Sequence, residues 1–180
     1  MFEFEFGDLK LEFVQGNIVN QNDLAAVVNA ANAQLRIGGG VAGAVHRAAG
    51  PELEKACRSL APINPGEAVI TEAFEMNNDY IIHTLGPVYG VDHPEAEILA
   101  DCYKNSLKLA DENGITSIGF PSISTGAFSY PVKEAAEVCL KTLKDFIPGL
   151  KNIKLIRFVL FSRSDYEIYS KKAEKIFSEN

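Results

Sequence analysis

Apolar and polar positions alternate at the start of the chain, where Phe2, Phe4 and Phe6 interleave with Glu3 and Glu5 and where Leu11, Phe13 and Gln15 continue the run. A period of two places one set of side chains on one face, so both segments are expected as strands near a sheet edge. Leu24 to Ala31 is almost wholly apolar and contains Val27 and Val28, the pattern of a strand buried on both faces of a parallel sheet. It ends in Asn29-Ala30-Ala31-Asn32. Beyond Gly38-Gly39-Gly40 the small residues of Val41 to Ala49 predict a helix, stopped by Gly50 and followed by a second helix from Pro51 to Leu60.

Ala68 to Thr71 and Tyr80 to Leu85 are predicted as two strands joined through the turn-forming stretch Glu75 to Asp79. Asp92-His93-Pro94-Glu95 has the form of a capping box, and the helix it opens places Leu99, Cys102, Tyr103, Ser106 and Ala110 on one face before Gly114. Ile115 to Phe120 is a short strand. Pro131 is placed at the first position of an amphipathic helix with Ala135, Val138, Cys139 and Leu143 inward, ended by Pro148-Gly149. Leu155 to Phe161 is a last apolar strand, and Ser164-x-x-Glu167 is expected to cap a final helix that docks through Tyr166, Tyr169, Ala173 and Phe177.

Strands and helices thus alternate along the whole chain. That order predicts the α/β class: a three-layer α/β/α sandwich with a mixed, largely parallel central sheet, formed by one domain over residues 1–180. In such sheets ligands sit at the carboxyl ends of the strands, where both glycine-rich loops lie.

Composition narrows the function classes. The 180 residues are 47% hydrophobic and 23% charged, values of a globular protein, and no apolar run approaches the ~18 residues of a membrane span. The acidic residues Glu3, Glu5 and Asp8 argue against a targeting peptide, so the cytosol is the expected location. A net charge of −7 disfavours nucleic acid as a partner. Cys57, Cys102 and Cys139 lie far apart without a metal-ligand spacing and read as buried free thiols, and neither a metal nor a cofactor is expected.

Two loops carry the candidate chemistry. Asn29 to Asn32 followed by Gly38-Gly39-Gly40-Val41 leaves a buried strand and enters a helix, so a backbone can approach a ligand closely and free helix N–H groups can meet phosphate oxygens. Glycines alone would suit a flexible turn equally; the asparagines at the strand end favour a ligand loop. No Gly-Lys-[Ser/Thr] follows, and the G-x-G-x-x-G spacing is absent, so neither common nucleotide-binding loop is present. Pro121-Ser122-Ile123-Ser124-Thr125-Gly126-Ala127-Phe128 can form a second anion nest. His46, His83 and His93 lack a metal partner or a catalytic set and are read as core or structural residues.

With these segments in place, the chain resembles the macrodomain family, of the MacroD-like branch, from about Gly7 to Phe177. The matching segments are Gly16-Asn17-Ile18, Asn29 to Asn32, Gly38 to Val41 with Gly43-Ala44-Val45-His46, Tyr80 to Pro87, and Pro121 to Phe128. The resemblance implies binding of ADP-ribose or a mono-ADP-ribosylated protein. It assigns Asn17 and the Ile18 backbone to adenine, with Phe161 packing on the ring, and Ser124, Thr125, Gly126, Ala127 and Phe128 to the diphosphate. Asn32 with Gly38, Gly39 and Gly40 would hold the distal ribose; Asn29 and Val41 complete the expected contacts, and Asn32 and Gly40 are the catalytic positions.

Three positions depart from the family pattern. Asn17 replaces an aspartate and loses a charge-assisted bond to the adenine amino group. Ser129 replaces a frequent glycine, and Ala42 stands where an aspartate is thought to position water. The implied activity is hydrolysis of mono-ADP-ribose from acidic side chains, together with deacetylation of O-acetyl-ADP-ribose. Ala42 motivates the alternative, a reader that binds ADP-ribose without chemistry.

Overall fold

The computed structural model describes residues 2–178. Seven strands form one sheet: β1 (Phe2–Phe6), β2 (Leu9–Gln15), β3 (Ala26–Ala30), β4 (Ala68–Glu72), β5 (Tyr80–Thr84), β6 (Ser117–Phe120) and β7 (Leu155–Leu160). Their spatial order is β1-β2-β7-β6-β3-β5-β4. The five inner strands are mutually parallel, and β1 and β4 run antiparallel at the two edges. The fold is a three-layer α/β/α sandwich with a mixed, largely parallel sheet.

Side-chain alternation explains why the central strands are largely apolar on both faces. Val28, Ile82 and Phe158 enter one core with Tyr103 of α3 (Glu95–Glu112), Cys139 of α4 (Val132–Phe146) and Tyr169 of α5 (Arg163–Ser178). Their sequence neighbours Val27, Ile81 and Val159 enter the opposite core with Val45 of α1 (Gly40–Ala49) and Leu53 of α2 (Pro51–Cys57). Strands β3, β5 and β7 are therefore covered on both faces. On the larger side Phe13, Phe158 and Phe120 stack in series, with ring centroids 5.5 and 5.6 Å apart. All three cysteines are free and buried.

Several boundaries differ from the sequence reading, each for a local reason. The strand expected from Leu24 begins at Ala26, because the Leu24 N–H turns back to the Gln21 carbonyl and the Ala25 N–H to Ser117 Oγ. The strand expected from Ile115 begins at Ser117, because the Ile115 N–H closes α3 on the Ala110 carbonyl. Helix α2 ends at Cys57, three residues early, as the Leu60 N–H returns to the Cys57 carbonyl ahead of Pro62.

Neither expected capping box forms. Helix α3 begins at Glu95, after Pro94, and the carboxylates of Asp92 and Glu95 accept instead from the loop N–H groups of Val88 and Gly90. At α5 the cap is Ser162, whose Oγ accepts from the Asp165 N–H at 3.0 Å; Ser164 already lies inside the helix, and Glu167 pairs with Arg163. Helix α4 buries Ala136 and Leu140 besides Ala135, Cys139 and Leu143, while Val138 is only half-buried.

Candidate functional site

After β3 the chain turns into α1, in the α1/α2 layer, whereas after β6 it turns into α4, on the other side of the sheet. Because β3 and β6 are parallel neighbours, their loops part and leave a crevice at the carboxyl ends. That is the topological switch point of an open α/β sheet.

The crevice has two chambers, of about 480 and about 270 Å³. Gly40, Val41, Ser122 and Gly126 line both chambers and form the waist between them. Asn17, Ile18, Thr125 and Phe161 line the larger chamber. Asn32, Gly38, Gly39, Ser124, Ala127 and Phe128 line the smaller one. These volumes fall in the range of small-molecule sites, roughly 300–1,000 Å³ in all.

Backbone donors without a protein acceptor belong to both walls of this waist. Gly39 caps α1 in an extended conformation with no side-chain cap, and Gly40 opens the helix at φ +55, in the left-handed region that suits glycine. Among the described residues, the N–H groups of Gly38 to Ala42 donate to no protein acceptor, and neither do those of Ser124 to Phe128. The second loop is held in shape from behind. Thr125 Oγ1 donates to Ser122 Oγ at 2.9 Å, Ser122 Oγ lies 2.9 Å from the Tyr169 hydroxyl, and the Tyr130 N–H donates to the Ser124 carbonyl.

Ser124 and Ser129 both adopt positive φ, 65° and 59°, so two left-handed turns bracket the run of free donors. A residue of positive φ followed by one without it, as at Ser124-Thr125, turns successive N–H groups toward a single anion. The strain at Ser124 is supported by close packing. Its Oγ is buried and lies only 2.0 Å from where a Cβ on Gly86 would stand, so Gly86 has to be glycine. Gly86 itself lines the smaller chamber, although the sequence reading did not place it in the site.

Asn32 organises the first loop. Its Oδ1 accepts from the Arg36 N–H at 3.1 Å, and its Nδ2 donates to the Arg36 carbonyl at 2.8 Å, closing the turn that leads into the glycines. Asn17 caps a 3-10 turn over Ile18–Asn20 through its Oδ1, which accepts from the Val19 N–H at 3.2 Å. One lone pair of that oxygen is thereby engaged and one is left.

Phe161 lies just past β7, 80% exposed, on the rim of the larger chamber, so it is no part of the core. Asn29 does not reach the crevice. It is fully buried and in register with His83 on β5, with its Nδ2 3.0 Å from His83 Nδ1. Strand parity is the cause: Asn29 points to the same side as Val27, into the α1/α2 core.

His83 is buried with it, its Nε2 3.0 Å from Thr71 Oγ1, and burial pushes its pKa down to about 3. A neutral imidazole accepting from Asn29 at Nδ1 donates from Nε2 to Thr71, which makes this a structural trio. Burial also lowers the pKa of His46, while His93 sits at the surface beside Glu95.

Among the described residues, the only charged ones lining the crevice are Arg47 and Asp165, both in the larger chamber, and sequence reasoning missed both. Arg47 was findable, since Gly40, Ala44 and Arg47 share one face of α1 by helical spacing. Nothing local marked Asp165. The described residues lining the smaller chamber include no ionisable side chain, and Ala42 forms part of its wall. Among the described residues no group of three His, Cys, Asp or Glu side chains is arranged to hold a metal ion.

Comparison with known proteins adds four findings. The family model described as Macro domain matches residues 28–139. The O-acetyl-ADP-ribose deacetylase of Salmonella typhimurium is 44% identical, over 90% of this chain and 93% of that protein. The Oceanobacillus iheyensis macrodomain with ADP superposes with a TM-score of 0.94 at 40% identity, covering 99% of this chain and 97% of the other. The Trypanosoma brucei macrodomain in complex with ADP-ribose gives 0.83 at 34% identity, covering 89% and 68%.

Proposed function

Because the chain belongs to the Macro domain family, we propose that it binds ADP-ribose in this crevice and releases it from mono-ADP-ribosylated acidic side chains, with O-acetyl-ADP-ribose as a second ester it cleaves. One observation carries the reading: two runs of unpaired backbone N–H groups meet across a waist between an aromatic-rimmed chamber and a smaller glycine-walled one. That sequence of environments matches base, diphosphate and distal ribose in order. Backbone donors hold a diphosphate locally despite the net charge of −7. The Salmonella deacetylase supports the ester chemistry, and the Trypanosoma complex supports the ligand.

In the reaction water adds across the ester between the distal ribose and a carboxyl group, yielding ADP-ribose and the free acid, or acetate from the acetylated ligand. Asn32 and Gly40, beside the smaller chamber, position the ribose and the water. With Ala42 in the wall and no ionisable side chain in that lining, a phosphate oxygen of the substrate takes the proton of the attacking water, and orientation supplies most of the acceleration.

The same lining favours a second reading, a module that recognises ADP-ribosylated proteins without turning them over. A time course of ADP-ribose release from a glutamate-modified protein, with Asn32→Ala and enzyme-free controls, separates the two. Release over many turnovers, slowed by more than about tenfold in Asn32→Ala with Kd changed less than about threefold, supports the hydrolase. Background release together with measurable ADP-ribose binding supports the reader. Equal affinity for ADP-ribose and AMP overturns both, since the diphosphate and second ribose would then contribute nothing.

A further inference from the structure

The larger chamber holds one carboxylate whose position is fixed from two directions. Asp165 lies in the first turn of α5, half-buried, and lines the chamber. Its backbone N–H is taken by Ser162, which caps the helix, and among the described residues its carboxylate has neither an ion partner nor a hydrogen bond. Four residues earlier Phe161 stands on the rim. Four residues later Tyr169 meets Ser122, which lines the waist. Asp165 therefore lies one helical turn from the wall that cradles the diphosphate, between that wall and the aromatic rim.

On the reading that the crevice holds ADP-ribose, we propose that Asp165 reads the ribose next to adenine, accepting its 2′-hydroxyl and turning away nucleotides phosphorylated at that oxygen. With the base at Phe161 and the diphosphate at the waist, the sugar joining them passes this carboxylate. A carboxylate only accepts hydrogen bonds, so it matches a hydroxyl and opposes a phosphate. Dinucleotide-binding sheets use the same division: an acidic side chain goes with the free 2′-hydroxyl, an arginine with the 2′-phosphate.

The other charge in the chamber belongs to a different wall. Arg47 lies on the α1 wall, where its Nη1 is 2.9 Å from the Cβ position of Gly43, beside the Gly38 carbonyl. The guanidinium thus lies against Gly43 on the α1 wall, whereas Asp165 stands on α5.

The test is calorimetric titration of the wild type, Asp165→Asn and Asp165→Ser with ADP-ribose and with ADP-ribose phosphorylated at the adenosine 2′ position. The wild type binds the phosphorylated ligand at least about 30-fold more weakly, and both variants close the gap to less than about threefold. Ser162 still caps α5 in both, and a thermal melt of each checks the fold. A gap unchanged in the variants, or a wild type that binds the two ligands equally, overturns the role of Asp165 and leaves ADP-ribose binding standing. A wild type that binds neither overturns the functional reading and this one together.

Discussion

The Gly38 carbonyl oxygen lies 2.3 Å from the point that a Cβ on Gly43 would occupy. Helix α1 and the loop that precedes it are therefore in contact through bare backbone, and any side chain at Gly43 pushes the glycine loop outward. Gly43→Ala is expected to weaken ADP-ribose binding by more than about tenfold and to lower Tm by roughly 2–6 °C. Titration and a thermal melt measure both; wild-type affinity in the variant would show that the loop position is unimportant for binding.

Gly39 is the opposite case. It is extended, and a Cβ built on it meets nothing within 4 Å, so a side chain fits the fold but projects beside the unpaired N–H groups. Gly39→Glu is expected to keep Tm within about 2 °C of the wild type and to reduce ADP-ribose affinity by more than about 100-fold, because its carboxylate competes with the diphosphate for the same donors. An unchanged Kd would refute the placement of the diphosphate.

Phe161, 80% exposed on the chamber rim, packs little of its ring against the protein. Phe161→Ala is expected to leave stability unchanged and to cost about 1–3 kcal/mol of binding, the worth of a base stacked on an aromatic ring. The loss should appear with ADP-ribose and AMP alike. If it appears with neither, the base lies elsewhere.

The buried trio under the first loop makes stability depend on pH. His83 has a folded pKa of about 3, below its ordinary 6.5, so between those values the unfolded chain binds the extra proton. Its contribution is fully present above about pH 6.5 and is lost as pH falls toward 3. Denaturation from pH 7 to pH 5, ahead of most carboxylate titration, should show stability falling with pH in the wild type and a shallower slope in His83→Gln. A slope unchanged by that substitution would mean that His83 is protonated in the fold.

Much of the fold was legible because its signals are local. The apolar runs at Val27-Val28 and Ile81-Ile82 required a sheet covered on both faces, which is what the two cores provide. Glycine and proline marked the loops at Gly38 to Gly40 and at Pro121 correctly, since backbone conformation there depends on the residues themselves. The capping boxes at Asp92 and Ser164 were misread because a cap depends on where the helix starts, and a shift of two residues moves the accepting role to Ser162 at α5 and leaves α3 with Pro94 and no side-chain cap.

The candidate site was legible only in part, for the same reason. The sequence determined a three-layer α/β sandwich, two glycine-rich loops at strand carboxyl ends, and hence a locally anion-binding crevice on an acidic protein. Tertiary structure decided which side chains face that crevice. Asn29 turns into the core because strand parity and its register with His83 put it there. Asp165 enters the chamber because β7 inserts between β2 and β6, bringing the start of α5 beside a wall laid down more than a hundred residues earlier at Asn17. Periodicity fixes what a segment becomes; only the order in which segments pack fixes which distant residues share a site.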